Sequence, residues 1–510
     1  MNFIKSIVFV GLLSFLVIGC TDLEEVIRQD LNQEDATEYL QNNTDISALI
    51  QTVYDNLQLP YQDQSRFWAM QEHTSDEVMG PTRGPDWDDN GIWRVLHNHT
   101  WDADHLFIGN TFNELLQGVF NSTNVLGFGP TAEEAAEARF LRAFIMASIL
   151  DAYGQVPFRE AGESLLDAPR VLSGAEAVDF IISELDAITG TLPTGDATVS
   201  NADAANALRA KLLLNKGTYA DRANPSFAAA DMDGVIAACD AIINSGRFAL
   251  ADDYWDNFSP QNTETSPELI FVNKNIGGER SGNVRSRWFC TLHYNQNPSG
   301  WNGFCTISDF YNTFDQTDSR FGGSAADRPE TAGKTGVGHG FLSGQQLDAD
   351  GNALQDRKGN ALSYTPEVAL TESGDNLEVT GVRVVKYIID LESGDNADND
   401  YVFYRYADVL LMKAEALLRK GDNGGALAIV NEIRAKRGVA ELASIDADGL
   451  LQERGFELYW EGHRRQDLIR FGKFLDAWDE KPASGTERLL FPIPNTALAV
   501  NPNLSQNPGY

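Results

Sequence analysis

The segment from Thr131 to Gly154 reads TAEEAAEARFLRAFIMASILDAYG and decides the fold class of this 510-residue chain. Thr131 and Glu134 have the spacing of a capping box, apolar residues follow at helical spacing, and Gly154 is a typical helix terminator. After a proline-containing loop, SGAEAVDFIISELDAITGTLP at residues 173–193 predicts a second helix. The two segments together predict a helical hairpin.

The pattern of two helices in succession returns along the chain. It occurs in residues 201–220 with 231–248 and in 404–422 with 423–438, and a fourth pair of helices is predicted from residues 45–58 and 105–127. Small residues such as Ala138, Ala207 and Ala414 allow a partner helix to pack closely. The predicted hairpins therefore resemble tetratricopeptide repeats, which stack because no single pair can bury its own apolar face.

Residues 255–400 have a different composition, rich in Gly, Asn, Asp, Ser and aromatic residues. They contain short strand-like runs such as ELIFVN (268–273) and VRVVKYII (382–389). Loops carried on a stiff scaffold are where binding surfaces usually form. We therefore expect a mainly α protein, with a tetratricopeptide-like helical-hairpin scaffold, an irregular loop-rich lobe and a few short strands.

The N-terminus has the anatomy of an export signal. Lys5 precedes an almost wholly apolar run at residues 6–18, and VIGCTDLEE (17–25) then places a small residue directly before Cys20. This junction resembles the lipobox of bacterial lipoproteins, so we expect residues 1–19 to be a signal peptide and Cys20 to carry lipid. The alternatives are a plain thiol near a conventional cleavage site and an uncleaved anchor.

The net charge limits the classes of binding partner, and the cysteines leave two possibilities for their oxidation state. The formal net charge of −35 argues against a nucleic-acid partner, which needs clustered Lys and Arg, and favours a neutral polymer over an acidic one. Cys290 and Cys305 flank TLHYNQNPSGWNGF. They could form a disulfide that clips this segment, or remain free thiols that act as small apolar residues.

The sequence gives little evidence for a catalytic or metal-binding site. The run LHNHTWDADH (96–105) offers five ligand-type side chains, but ordinary polar packing is the preferred interpretation because His105 should begin the next helix. Those side chains are His97, His99, Asp102, Asp104 and His105. Three glutamates, Glu453, Glu457 and Glu461, share helical spacing with nearby arginines, which predicts ion pairs along one helix. We expect no catalytic set, no metal and no cofactor.

Several stretches together resemble the SusD/RagB family of nutrient-binding outer-membrane lipoproteins. The most specific is ERGFELYWEGHRRQDLIRFGKF (453–474) followed by LFPIPNTALAVNPNLSQNPGY (490–510). The other similar stretches, at residues 71–89, 138–158 and 310–321, read QEHTSDEVMGPTRGPDWDD, ARFLRAFIMASILDAYGQVPF and FYNTFDQTDSRF. The resemblance implies an N-terminal region with helical hairpins at residues 20–255, and a C-terminal region at 256–510 with the loop-rich lobe and the final hairpin.

The resemblance also implies a function. Members bind glycans outside the cell, are lipid-anchored in the outer membrane, and pass oligo- or polysaccharide to a TonB-dependent SusC-like transporter. The expectation for this chain is accordingly a binding protein and not an enzyme. Two alternatives remain open, an extracytoplasmic glycoside hydrolase and a tetratricopeptide-like scaffold that binds protein.

Sugars present apolar C–H faces and polar rims, so their sites combine aromatic rings with hydrogen-bonding side chains. Two segments have this mixture, PTRGPDWDDNGIW (81–93) and RWFCTLHYNQNPSGWNGF (287–304). The resemblance places the glycan site in these regions, which gives the candidates Arg83, Asp86, Trp87, Trp93, Trp288, Tyr294, Asn295 and Trp301. The alternative for each tryptophan is burial in the core.

Overall fold

Residues 43–510 are the part of the chain that the computed structural model describes. The predicted signal peptide at 1–19 and the predicted lipidation site Cys20 lie outside these residues. The helices are α1 Ile46–Gln62, α2 Phe67–Glu72, α3 Ile92–His97, α4 Leu106–Leu126, α5 Ala132–Tyr153, α6 Gly174–Ile188, α7 Ala202–Ala220, α8 Ala229–Ile243, α9 Asn262–Thr265, α10 Ser286–Phe289, α11 Ser308–Tyr311, α12 Tyr406–Arg419, α13 Asn423–Lys436, α14 Ala447–Leu458, α15 Arg464–Arg470 and α16 Asn495–Val500.

The helical ends follow the capping signals in the sequence. The Thr131 side chain accepts a hydrogen bond from the backbone N–H of Glu134, and the Glu134 side chain accepts one from the N–H of Thr131. Helix α5 then ends at Gly154, which has a φ of +72°, a conformation that costs glycine little. The capping box and the glycine stop predicted from the sequence are both confirmed.

The long helices stack in chain order. Helix α1 packs on α4, α4 on α5, α5 on α6, α6 on α7, α7 on α8, α8 on α12 and α12 on α13. The three helical hairpins predicted from the sequence are therefore present, and the fourth predicted pair, α1 with α4, packs together although α2 and α3 lie between them in the chain. One apolar core runs through most of the stack. The fold is mainly α.

The strands are short and pair across long stretches of sequence. They are β1 Val78–Met79, β2 Thr82–Arg83, β3 Gln155–Phe158, β4 Arg170–Ser173, β5 Leu269–Asn273, β6 Cys305–Thr306, β7 Gly322–Gly323, β8 His339–Leu342, β9 Gly344–Gln345, β10 Ser363–Tyr364, β11 Thr371–Glu372, β12 Arg383–Val385 and β13 Tyr401–Arg405. Strand β5 pairs antiparallel with β13, and β2 pairs parallel with β11. These pairings tie the loop-rich lobe to the helical scaffold.

The central β5–β13 pair lies against helix α5. Every residue of both strands is buried. The Phe144 ring contacts Phe271 at 5.5 Å and Phe403 at 4.8 Å between ring centroids, both in edge-to-face arrangements. This aromatic contact joins the N-terminal helices to the strands on either side of the lobe.

The prediction of ion pairs along one helix at residues 453–470 is wrong. Helix α14 ends at Leu458, and Trp460 and Gly462 have φ values of +62° and +82° that turn the chain before α15. The glutamates therefore face other elements. The Glu457 carboxylate accepts hydrogen bonds from Arg405 at 2.8 Å, Arg437 at 2.7 Å and Arg320 at 3.1 Å.

The structure contradicts a disulfide between Cys290 and Cys305, since both are free and buried, as is Cys239. Cys290 packs in the main core, whereas Cys305 packs in a small separate cluster with Met79 and Ile307. The pairing of β6 with β1 directs the Cys305 side chain into that cluster, where its Sγ lies 3.8 Å from the Met79 carbonyl oxygen. The free-thiol alternative is the correct one.

Within residues 43–510, no helix combines the length and the apolar character that crossing a membrane requires.

Candidate functional site

Two segments that are far apart in the sequence meet in an open cleft of about 470 Å³. The first is the loop after β2, and the second follows α10. The cleft is lined by Gln64, Pro85, Asp86, Trp87, Asp89, Trp93, Tyr294 and Trp301. Five of the candidate residues from the sequence thus share one cleft, namely Asp86, Trp87, Trp93, Tyr294 and Trp301.

Trp87 is the centre of the aromatic wall. Its ring centroid lies 5.7 Å from that of Trp93 and 6.2 Å from that of Trp301, with interplanar angles of 62° and 58°. Its indole N–H donates to the Trp301 carbonyl oxygen at 2.7 Å. A third ring, Phe304, lies 4.9 Å from Trp87 and supports the wall from the core side.

The local backbone explains why Trp87 points into the cleft. Arg83 and Asp86 exchange backbone hydrogen bonds of 2.8 and 3.1 Å, which closes a tight turn after β2. Trp87 then has a φ of +60°, an uncommon conformation for a bulky residue. Its ring lies directly over Gly303, where a Cβ atom would come within 2.3 Å of the indole. The absence of a side chain at Gly303 therefore makes room for the ring.

The tryptophans differ in exposure, which separates their roles. Trp93 is buried, and its indole N–H donates to the Asp89 carboxylate at 2.9 Å. Trp301 is 46% exposed, and Trp87 is half-buried. An apolar surface of this kind, open to solvent beside polar groups, is suited to a ligand that has both a flat apolar face and hydrogen-bonding edges.

Polar side chains form another part of the rim of the cleft. The Tyr294 hydroxyl donates to the Asp86 carboxylate at 3.1 Å, and Arg357 donates to the same oxygen at 2.6 Å. The Arg357 guanidinium also lies over the Tyr294 ring, 4.2 Å from its centroid. Burial, followed by the nearby Asp86 charge, raises the pKa of Tyr294 to about 12, so its hydroxyl is neutral at physiological pH.

A buried pair stands behind this rim. The Glu378 carboxylate accepts hydrogen bonds from Arg357 at 2.6 Å and from His293 at 2.9 Å. Burial alone would raise the pKa of Glu378, but the hydrogen bonds from the Arg357 backbone, His293 and the Arg357 side chain outweigh it and lower the pKa. Glu378 is therefore ionised and fixed in place.

Three candidates from the sequence lie elsewhere. Arg83 is fully buried and donates to the Leu377 carbonyl and the Thr380 hydroxyl, each at 2.8 Å. Trp288 is buried in a separate apolar cluster, and Asn295 is exposed but its amide donates to the Gln355 carbonyl at 2.8 Å. Arg83, Trp288 and Asn295 therefore do not line the cleft. Each of these side chains packs against or hydrogen-bonds to another part of the protein.

The sequence interpretation missed Arg357 and Glu378. Arg357 lies in the second copy of a short repeat, DADGNAL at residues 348–354 and DRKGNAL at 356–362. In each copy the first aspartate accepts backbone hydrogen bonds from the residues two and four positions later. The repeat indicates two equivalent turns, but nothing in it shows where the second turn docks.

The histidines of the LHNHTWDADH run bond to separate groups. His97 contacts the Asp479 carbonyl at 3.0 Å, His99 the Thr74 carbonyl at 2.8 Å, and His105 the Ile92 carbonyl at 3.1 Å. Their ring nitrogens thus anchor loops to the core. No group of three or more metal-ligating side chains converges within residues 43–510.

Comparison with known proteins identifies the relatives of the chain. Residues 251–487 match the SusD family. The starch-binding protein SusD of Bacteroides thetaiotaomicron is 27% identical over 417 residues, which cover 74% of this chain and 73% of that protein. A SusD-like protein of Formosa agariphila is 23% identical over 541 residues, with 99% of each chain covered.

Solved structures share the fold. Surface glycan-binding protein A of Bacteroides thetaiotaomicron, solved in complex with laminarihexaose, superposes with a TM-score of 0.67 at 19% identity, covering 91% of this chain and 98% of that one. A SusD superfamily protein of Parabacteroides distasonis superposes with a TM-score of 0.69 at 20% identity, covering 94% and 99%. Residues 251–487 are thus similar in sequence to the SusD family, and the described chain has the fold of SusD superfamily proteins.

Proposed function

We propose that this protein is a glycan-binding lipoprotein of the cell surface. It captures an oligo- or polysaccharide in the cleft lined by Trp87, Trp301 and Tyr294, and passes it to a TonB-dependent SusC-like transporter in the outer membrane. The chain itself performs no reaction on the sugar.

The observation that carries the proposal is the pairing of aromatic and polar walls in one open cleft. A pyranose ring could stack on the exposed face of Trp301, while its hydroxyl groups reach Asp86, Tyr294 and Arg357. The names of the relatives support the same class of ligand, since one is called a starch-binding protein and a structural neighbour was solved with laminarihexaose.

Asp86 at the rim of the cleft and Glu378 behind it favour binding over hydrolysis. Glycoside hydrolysis needs one carboxylic acid that holds its proton near neutral pH, beside a second carboxylate that is free to act. The pKa of Glu378 is lowered, and Arg357 engages both Glu378 and Asp86 in ion pairs. This arrangement stabilises the ionised carboxylate and leaves Glu378 without a proton to donate.

The binding step can be tested by titrating the full-length protein, extracted in mild detergent, with a panel of oligosaccharides. We expect a dissociation constant on the order of micromolar to millimolar for at least one, with no release of reducing ends. Release of shorter products would favour the hydrolase. Failure to bind any glycan, together with retention of a protein ligand, would favour the scaffold.

Anchoring and delivery can be tested in cells. Cys20→Ala should abolish fatty-acid labelling and release the protein from membranes, because the lipid on Cys20 is the proposed anchor. Gentle extraction of the wild-type protein should recover a large outer-membrane transporter with it. Membrane retention of the unlabelled variant would contradict the anchor, and recovery of no transporter in several detergents would contradict delivery.

A further inference from the structure

Arg357 bridges two carboxylates at the edge of the cleft. Its Nε donates to Glu378 at 2.6 Å and its Nη2 donates to Asp86 at 2.6 Å, so one guanidinium links its own turn to two other segments of the chain. The N–H group of Nε and one N–H group of Nη2 are thereby engaged in hydrogen bonds within the protein. We call this arrangement the Arg357 clamp, made of Arg357, Asp86 and Glu378.

Several bonds hold the clamp rigid. The backbone N–H of Arg357 donates to the second oxygen of Glu378 at 3.1 Å, and the Asp356 side chain fixes the turn through 2.8 Å bonds from the backbone of Lys358 and Asn360. Behind them, His293 Nδ1 accepts the backbone N–H of Asn295 at 3.0 Å, so its Nε2 carries the proton that it donates to Glu378. The guanidinium therefore has little freedom to turn toward a ligand.

The clamp determines the charge that a ligand meets. Arg357 is neutralised by Asp86 and Glu378, and the nearby Arg94 is paired with Asp88 at 2.9 Å. Among the described residues that line the cleft, the charged groups are Asp86 and Asp89, and both are acidic. A uronate or sulfate group would therefore enter a site that holds negative charge and offers it no unpaired cation.

Arg357 can still donate hydrogen bonds to an uncharged ligand. Its side chain is 44% exposed, and within the described part of the chain its Nη1 has no hydrogen-bond partner. Two N–H groups are thus free to donate to sugar hydroxyls beside the Tyr294 ring. A hydroxyl gains these donors without the cost of displacing an ion pair.

We propose that the Arg357 clamp makes the cleft selective for uncharged glycans and that Asp86 is the residue that sets this selectivity. The inference rests on the proposed function and names the class of glycan. Removing the Asp86 charge would free one edge of the guanidinium, which is the group best suited to pair with a carboxylate in a bidentate manner.

The test compares two classes of hexasaccharide on the detergent-extracted full-length protein. The uncharged probes are β-glucan, α-glucan, xylan and mannan fragments, and the anionic probe is oligogalacturonate of the same length. We expect the wild-type protein to bind its preferred uncharged probe at least about tenfold more tightly than the uronate at low salt. Asp86→Asn should narrow this ratio by about fivefold or more, mainly by improving uronate binding.

Asp350→Asn is the matched control. It removes one exposed negative charge from the first copy of the turn repeat, and Asp350 does not contact Arg357. Asp350→Asn should leave the ratio of the affinities for the uncharged probe and the uronate unchanged. Where Asp86→Asn lowers the melting temperature too far for titration, Glu378→Gln loosens the other edge of the clamp and should shift the ratio in the same direction.

The outcomes separate the two proposals. Equal or tighter binding of the uronate by the wild-type protein would overturn the selectivity but leave glycan binding intact. The same ratio in Asp86→Asn and in the wild-type protein would also overturn it. Binding of no probe of either class would overturn the proposed function and the selectivity with it.

Discussion

The indole N–H of Trp87 donates to the carbonyl oxygen of Trp301 at 2.7 Å, across a separation of 214 residues. This bond joins the loop after β2 to the segment after α10. It also distinguishes the two tryptophans, because Trp301 contributes its backbone to the contact and remains 46% exposed. Their substitutions should therefore have different consequences.

Trp301→Ala should weaken glycan binding by about 1–3 kcal/mol, the range found when flat ligands lose an aromatic stacking partner. The melting temperature should change little because the ring is exposed and its backbone carbonyl remains. Calorimetric titration and thermal melting of the same sample measure both effects. Trp288→Ala is the contrasting variant, since Trp288 is buried away from the cleft and its loss should lower stability by about 3–5 kcal/mol with unaltered affinity per folded molecule.

Gly303→Ala should displace the Trp87 ring. The new Cβ atom would lie 2.3 Å from the indole, and a rigid ring beside the backbone cannot absorb that overlap without moving. We expect a change in tryptophan fluorescence and a loss of glycan affinity. Gly190→Ala is the control, because a Cβ at Gly190 meets no atom within 4 Å. Unchanged fluorescence and affinity in Gly303→Ala would show that the cleft tolerates a shifted Trp87.

Glu457→Gln should destabilise the protein by about 3–5 kcal/mol, the usual result of removing one member of a buried charge cluster. Glu457 is fully buried and pairs with Arg320, Arg405 and Arg437, which would be left with uncompensated charge. Denaturant unfolding measures the loss. Glu432→Gln makes the same chemical change at an exposed position of α13 and should cost no more than about 0.5 kcal/mol.

Stability should fall as the pH falls from about 6.5 toward 4. Burial lowers the pKa of all seven histidines, and those of His97, His339 and His463 reach about 4. In this window the unfolded chain binds protons that the folded protein does not, so each such histidine contributes a loss of up to about 1.4 kcal/mol per pH unit.

Several carboxyl groups act in the opposite direction. Burial raises the pKa of Glu72 to about 7 and also raises those of Glu77, Glu114, Glu137, Asp256 and Asp400, so their protonation favours the folded state as the pH falls. The histidines outnumber them, and the net effect should be destabilising. Denaturant midpoints at pH 7.5, 6.5, 5.5 and 4.5 test this. A constant midpoint down to pH 4.5 would contradict the prediction.

Cys239, Cys290 and Cys305 should resist alkylation in the native protein and react after unfolding. All three are buried and free, and burial raises the pKa of each thiol. Peptide mass mapping after labelling with and without denaturant identifies each site. Recovery of a peptide that links Cys290 to Cys305 from protein exported without reductant would contradict the structure.

The helical scaffold was predictable because its signals are local. One helix contains the capping box at Thr131, the stop at Gly154 and the apolar residues between them. These neighbouring residues are enough to predict the helix. The same holds for the other hairpins. The pairing of Thr82 with Thr371 in β2 and β11 could not be predicted, because strands of two residues have no periodicity to read and their partners are distant.

The candidate site was predictable in its aromatic wall but not in its polar rim. Trp87 and Trp301 lie in loops whose composition combines tryptophan with polar and turn-forming residues. Arg357 lies in a turn whose own sequence explains only its local hydrogen bonds. Its contact with Asp86 depends on how the lobe folds back on the scaffold. That long-range contact cannot be predicted from the pattern of a single sequence.

The bond from Trp87 to Trp301 closes a loop of more than two hundred residues, and this has a thermodynamic consequence. A sugar stacked on this aromatic wall would interact only with molecules in which that loop is closed. Ligand concentration would therefore act on the folding equilibrium of the whole scaffold, raising the free energy of unfolding by about 2.7 kcal/mol at one hundred times the dissociation constant. The protein would be most resistant to unfolding and proteolysis when it carries cargo.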